Sequence, residues 1–150
     1  MSSDYPNPWN FSNIDKNLLS PNGKYKIEFG ELYEMAMGAP IAGECYLIFD
    51  DKKIKINEWT GGPVIWNETS GKIALPIWTK NRNQKISIVD INNLTITTYK
   101  KEFRVLHFNK FEENKLSGID SPFYMTTKLN FDINKEEVET IKQIKYKTSE

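Results

Sequence analysis

Between Pro63 and Lys100 apolar and polar residues alternate with a period of two, broken by short runs of Asn, Ser, Thr and Gly. This pattern constrains the fold more than any other in the chain. A strand returns to the same face every second residue, whereas a helix takes about 3.6. Val64 to Trp66 reads as a strand that ends at the polar run Asn67-Glu68-Thr69-Ser70-Gly71, a turn signal. Ile73, Leu75 and Ile77 then alternate with Lys72, Ala74 and Pro76. Pro76 removes one ladder donor and so predicts an edge or a bulge at that point. Lys80 to Gln84 reads as a loop. Lys85 to Ile91 carries Ile86, Ile88, Val89 and Ile91, which predicts a strand covered on both faces. Asn92-Asn93 suits a two-residue hairpin, with Leu94 to Tyr99 as the returning strand.

The flanking segments extend the same pattern. Residues 1–19, with Trp9 and Phe11, read as an arm laid against the sheet. Tyr25, Ile27 and Phe29 share one face of a strand, and Cys45 to Phe49 returns through Asp50-Asp51-Lys52 into Lys53 to Trp59, with Ile54 and Ile56 inward. Thr60-Gly61-Gly62-Pro63 breaks the sheet. Glu102 to Phe108 reads as a further strand, Asn109 to Asn114 as a turn, Ser117 to Pro122 as a loop and Phe123 to Phe131 as a strand. Asn134 with Glu137 three residues on forms a capping-box pattern. Val138, Ile141 and Ile144 then recur at helical spacing, which predicts a C-terminal helix sealing an open edge.

The succession Ile65-Trp66-Asn67, Ser70-Gly71-Lys72-Ile73-Ala74-Leu75 and Ile86-Ser87-Ile88-Val89-Asp90 resembles a blade of a WD-type β-propeller. An earlier echo stands at Ser20-Pro21-Asn22-Gly23-Lys24-Tyr25-Lys26-Ile27, while Glu68-Thr69 departs from the Pro-Asp of that pattern. The resemblance covers about half the chain and implies strand geometry, not an activity. A closed propeller needs at least four blades of ~40–45 residues, more than 150 residues supply. The expected architecture is therefore mainly β, in one domain spanning 1–150. Two blade-like antiparallel meander sheets, 20–60 and 63–108, would pack as a sandwich or half-barrel, followed by strand and helix over 123–147. The alternative is that the blade-like chemistry belongs to an ordinary meander.

One cysteine, Cys45, permits no intrachain disulfide, and residues 1–10 show neither a basic nor an apolar leader region. No apolar run reaches membrane-spanning length. A cytoplasmic setting without membrane contact is expected. The formal charge is zero, so no overall field favours nucleic acid. The charges are nonetheless segregated. From Glu28 to Asp51 there are six carboxylates and no Lys or Arg, and from Thr69 to Val89 four cations and no Asp or Glu. These surfaces either pair or are solvated, or the acidic one faces a basic partner.

The residue types for chemistry are sparse. A single histidine, His107, cannot build a multi-histidine metal site, and no zinc spacing or phosphate-cradling loop occurs. Cys45 and His107 could form a nucleophile pair only if the fold joined them, and both lie mid-strand in apolar runs. No catalytic residue, metal or cofactor is expected. Segment 30–43 fits a strand with Tyr33, Met35 and Met37 packed inward. As a loop it would present Tyr33 and Met37 among Glu31, Glu34 and Glu44, a composition suited to a protein partner. Trp59, Trp66 and Trp78 would stack on sugars or bases if exposed, and fill the sheet interface if not. The small size and Asn/Ile/Lys-rich usage are similar in general character to immunity proteins that bacteria pair with toxins. That likeness implies a non-enzymatic protein-binding domain with Glu31, Tyr33, Glu34, Met37 and Glu44 on an acidic face toward a basic toxin. The alternative is a small-ligand or carbohydrate-binding β-domain using Trp59, Trp66 and Trp78.

Overall fold

The computed structural model describes residues 6–34, 36–121 and 125–144. Met35, Phe123 and the expected helix end at 145–147 lie outside the described residues. Twelve strands are present among the described residues: β1 (Lys26–Phe29), β2 (Tyr33–Glu34), β3 (Ile41–Phe49), β4 (Lys52–Thr60), β5 (Ile65–Trp66), β6 (Lys72–Trp78), β7 (Gln84–Asp90), β8 (Thr95–Phe103), β9 (Leu106–Glu112), β10 (Lys115–Asp120), β11 (Thr127–Asp132) and β12 (Val138–Gln143). A 3-10 turn at Lys16–Leu18 precedes them. The chain is mainly β and antiparallel, and no sheet closes into a barrel. No helix among the described residues is long and apolar enough to cross a membrane.

Nine strands form one sheet in the order β1-β3-β4-β6-β7-β8-β12, with β2 on β3 and β5 on β6; β11-β10-β9 form a second. The two expected blade-like blocks are thus not separate sheets. They meet edge to edge at the Thr60↔Ile77 pair of β4 and β6. Their inward residues still share one core. Ile27, Phe29, Cys45, Leu47 and Ile54 cluster with Ile73, Leu75, Val89 and Ile96. On the other face of β6 and β7, Ala74, Ile86 and Ile88 join Leu106, Phe108, Phe111, Leu116, Leu129 and Phe131 of the second sheet. The expectation that β7 is covered on both faces matches this, and β6 is covered likewise. Tyr99 fastens the layers, donating to the Ile133 carbonyl at 2.8 Å with its ring edge-on to Phe131.

The turns show how local chemistry sets the register. Asp50 and Asp51 both adopt positive φ, and Phe49 pairs with Lys52, a two-residue hairpin. The β7–β8 connection differs from expectation: Asp90 pairs with Thr95, leaving a four-residue loop with positive φ at Leu94. There the Asp90 carboxylate accepts from the Asn93 N–H, drawing both asparagines into one turn. The two blade-like turns share one conformation. Ser20 N–H donates to the Tyr25 carbonyl as Asn67 N–H does to that of Lys72, and Gly23 and Ser70 both take positive φ. The turns also touch, with Asn22 N–H donating to Ser70 Oγ at 3.0 Å.

Pro76 lies where the β4–β5 side of the ladder is interrupted. Its carbonyl points there, accepting from Gly61 N–H at 2.7 Å, so the N–H that proline lacks would face the same break. The chain turns that corner through a cis Gly62–Pro63 bond packed beneath the Phe11 ring. On the outer edge of β1 the arm substitutes for a strand. Asn13 Nδ2 donates to the Phe29 carbonyl and Phe29 N–H to Asn13 Oδ1, each at 2.8 Å.

Three expectations over the C-terminal third are corrected. Asn109 to Asn114 is not all turn and Ser117 to Pro122 is not all loop, since β9 runs to Glu112 and β10 spans most of the second segment. A bulge between Ser117 and Gly118 breaks the alternation that would have revealed β10. The C-terminal helix is absent. Asp132, not Asn134, supplies the side-chain acceptor, and a single turn follows before β12 pairs with β8. Val138, Thr140 and Ile141 are β-branched and suit a strand. Val138 and Ile141 stay exposed, and of the apolar stripe only Ile144 is buried.

Candidate functional site

The residues of segment 30–43 form a small hairpin projecting from β3. Gly30 N–H donates to the Glu44 carbonyl, and Tyr33 and Glu34 then pair with Ala42 and Ile41. Gly43 makes the approach possible. A Cβ there would stand 2.8 Å from the Glu31 carbonyl oxygen. A glycine inside a strand pattern signals such close backbone approach, and it could have located this packing from sequence. The turn closes with Ala39 N–H donating to the Ala36 carbonyl and Gly38 at φ 77°, while Gly38 N–H donates to Glu34 Oε2 at 3.0 Å. The arm buttresses the tip: Trp9 Nε1 donates to the Gly38 carbonyl and Ile41 N–H to the Pro8 carbonyl, both at 3.1 Å. Nothing in the arm's sequence announced this role.

The expectation that Tyr33 and Met37 pack inward is not met. β2 is a two-residue strand whose side chains are both exposed, Tyr33 to 43%, and Met37 beyond it is fully exposed. Glu31 and Glu34 are exposed beside them. Glu44 does not join them as a free carboxylate. It is half-buried on β3, 2.7 Å from Lys55 Nζ, and accepts from the Tyr46 hydroxyl at 3.0 Å. The Lys55 hydrogen bond, then that of Tyr46, holds its carboxyl below the usual range. Glu28 pairs with Lys53 at 2.7 Å. The acidic segment is thus partly neutralised by β4, while Lys85 of the basic segment pairs with Glu139. The carboxylates that remain beside exposed apolar groups are those of the hairpin.

The tryptophans do not form a shared platform. Trp66 and Trp78 are 7% exposed, and Trp66 Nε1 donates to the Leu18 carbonyl at 2.9 Å inside the core. Their strands are covered on both sides, which corrects the reading of them as exposed ligand contacts. Trp59, near the end of β4, keeps 39% of its surface.

Cys45 and His107 sit on different sheets. Burial pushes the Cys45 thiol far up, outweighing the Thr60 hydroxyl beside it, so the thiolate is suppressed. Burial lowers the His107 imidazole, partly offset by the Pro6 carbonyl. Among the described residues no three of His, Cys, Asp and Glu converge in a metal-holding group. Two clefts open on the second sheet. One of about 540 Å³ is lined by Lys110, Glu112, Lys115, Ser117, Asn130 and Asp132, and one of about 230 Å³ lies beside His107 and Gly118. Solvated charges dominate the larger, where Lys110 already pairs with Glu112 at 3.0 Å. Compared with known proteins, the chain matches no family model, no curated protein and no solved structure.

Proposed function

We propose that the chain is a non-enzymatic protein-binding domain that engages a basic partner through the β2 hairpin. In character it is similar to small bacterial immunity proteins that occlude a toxin. The observation that carries this reading is a fully exposed Met37 and a half-exposed Tyr33 on a buttressed hairpin that also carries the exposed Glu31 and Glu34. Exposed Tyr and Met are suited to an interface core, and rim carboxylates steer a cationic partner. Glu44 is excluded from the anchors because Lys55 already satisfies it.

The test is titration of the purified protein with the product encoded beside its gene. Tyr33→Ala together with Met37→Ala is expected to weaken the complex by ~30-fold or more, the loss of about 2 kcal/mol that marks an interface hot spot. Glu31→Gln with Glu34→Gln should chiefly slow association and reduce its salt dependence. Affinity unchanged in both double variants would remove this face from the proposal. Should no protein complex form and a panel of sugars quench Trp59 fluorescence, the ligand-binding alternative would take its place.

A further inference from the structure

We infer that the corner between β4 and β5 binds one internal water molecule, held by the indole of Trp78 and the side-chain amide of Gln84. These two residues face each other across β6 and β7, and both are buried, Gln84 completely. The Gln84 amide has a fixed sense. Its Oε1 accepts from Leu106 N–H at 2.5 Å, and turning the amide over would set two donors against each other. Gln84 Nε2 therefore points away from β9. The Trp78 indole can only donate. Neither Gln84 Nε2 nor Trp78 Nε1 has an acceptor among the described residues.

Both donors converge on Gly61. They lie 2.9 and 3.0 Å from the point where a Cβ on that residue would stand, and the Pro76 carbonyl oxygen lies 3.4 Å from the same point. That oxygen already accepts from Gly61 N–H and retains a second lone pair. A buried donor without an acceptor is costly, and native interiors satisfy such groups with protein or with water. A ligand that accepts two hydrogen bonds and donates one to a carbonyl would satisfy these groups, which is the pattern of an internal water. A halide would satisfy the donors but would set a negative charge against the Pro76 carbonyl. The bound water would tie β6 and β7 to the glycine corner, and through Gln84 to β9, at the place where the two sheets meet.

The test compares two buried indoles in the ¹⁵N-labelled full chain, with resonances assigned through bonds. Trp66 serves as the internal control because its N–H donates to the Leu18 carbonyl. A long-lived water cross-peak is expected at the Trp78 indole and none at Trp66. Gly61→Ala should abolish it by placing a methyl among the donors, and replacing chloride by sulfate should leave the Trp78 resonance in place. No cross-peak at Trp78, or equal cross-peaks at both indoles, overturns the site. A shift of Trp78 on removing chloride assigns the corner to an anion instead. If Gly61→Ala does not fold, the two indoles of the natural chain decide the matter alone.

Discussion

β7 and β12 flank the same strand, β8, one on each side, and both pair with it antiparallel through a single bulge. Five of the seven β7 residues are buried, whereas all six of β12 are exposed. The main chain does the same work in both. What differs is side-chain burial, which is worth about 1.5–3 kcal/mol for each large aliphatic group fully removed from water. β7 is thus a core element. β12 is a seal: it occupies the open edge of β8 and contributes little packing. A strand can therefore be specified by the vacancy beside it as well as by its own hydrophobic content.

The comparison can be broken most directly at Ile86. Its side chain is wholly buried in the second core cluster, and Ile86→Ala is expected to cost about 2–5 kcal/mol in urea unfolding. A loss below ~1 kcal/mol would mean that the double covering of β7 is loose. Glu139→Gln tests an ion pair that spans β8 to link the two strands, Lys85 Nζ to Glu139 Oε1 at 2.8 Å. With side chains 15% and 40% exposed, its removal should cost less than about 1 kcal/mol. High salt should narrow the gap between natural chain and variant. The smallest change is expected for Ile141→Ala. That side chain is 66% exposed, so stability should move by no more than ~0.5 kcal/mol. A larger drop would show that β12 packs against something and is not only a seal.

These two strands also show how far the sequence could be read. β7 was legible because consecutive Ile, Val and Ser residues leave no polar face to solvate. The Asp50-Asp51 turn and the end of β4 before Gly61-Gly62-Pro63 were legible for similar local reasons, whereas the order of strands in the sheet was not. β12 was misread because Val138, Ile141 and Ile144 have helical spacing, and the fact that decided against a helix was the free edge of a strand some forty residues earlier. β10 was hidden by its bulge. At the candidate site the composition of residues 30–43 was visible, but its exposure was not, because no local pattern shows that β2 holds only two residues and leaves Tyr33 and Met37 uncovered. Glu44 belongs to the same stretch, yet its partner Lys55 comes from the next strand, and no spacing rule connects them.

The paired bonds between Asn13 and Phe29 have a consequence for how copies of this chain meet. One side-chain amide imitates a peptide unit and occupies the rung where a foreign strand would begin to add. Beyond it, the Leu19 bridge to Lys26 occupies the other end of the same border. The arm thus acts as a guard against fibril-like stacking, and a chain trimmed past residue 13 would lose that guard together with Phe11 of the core.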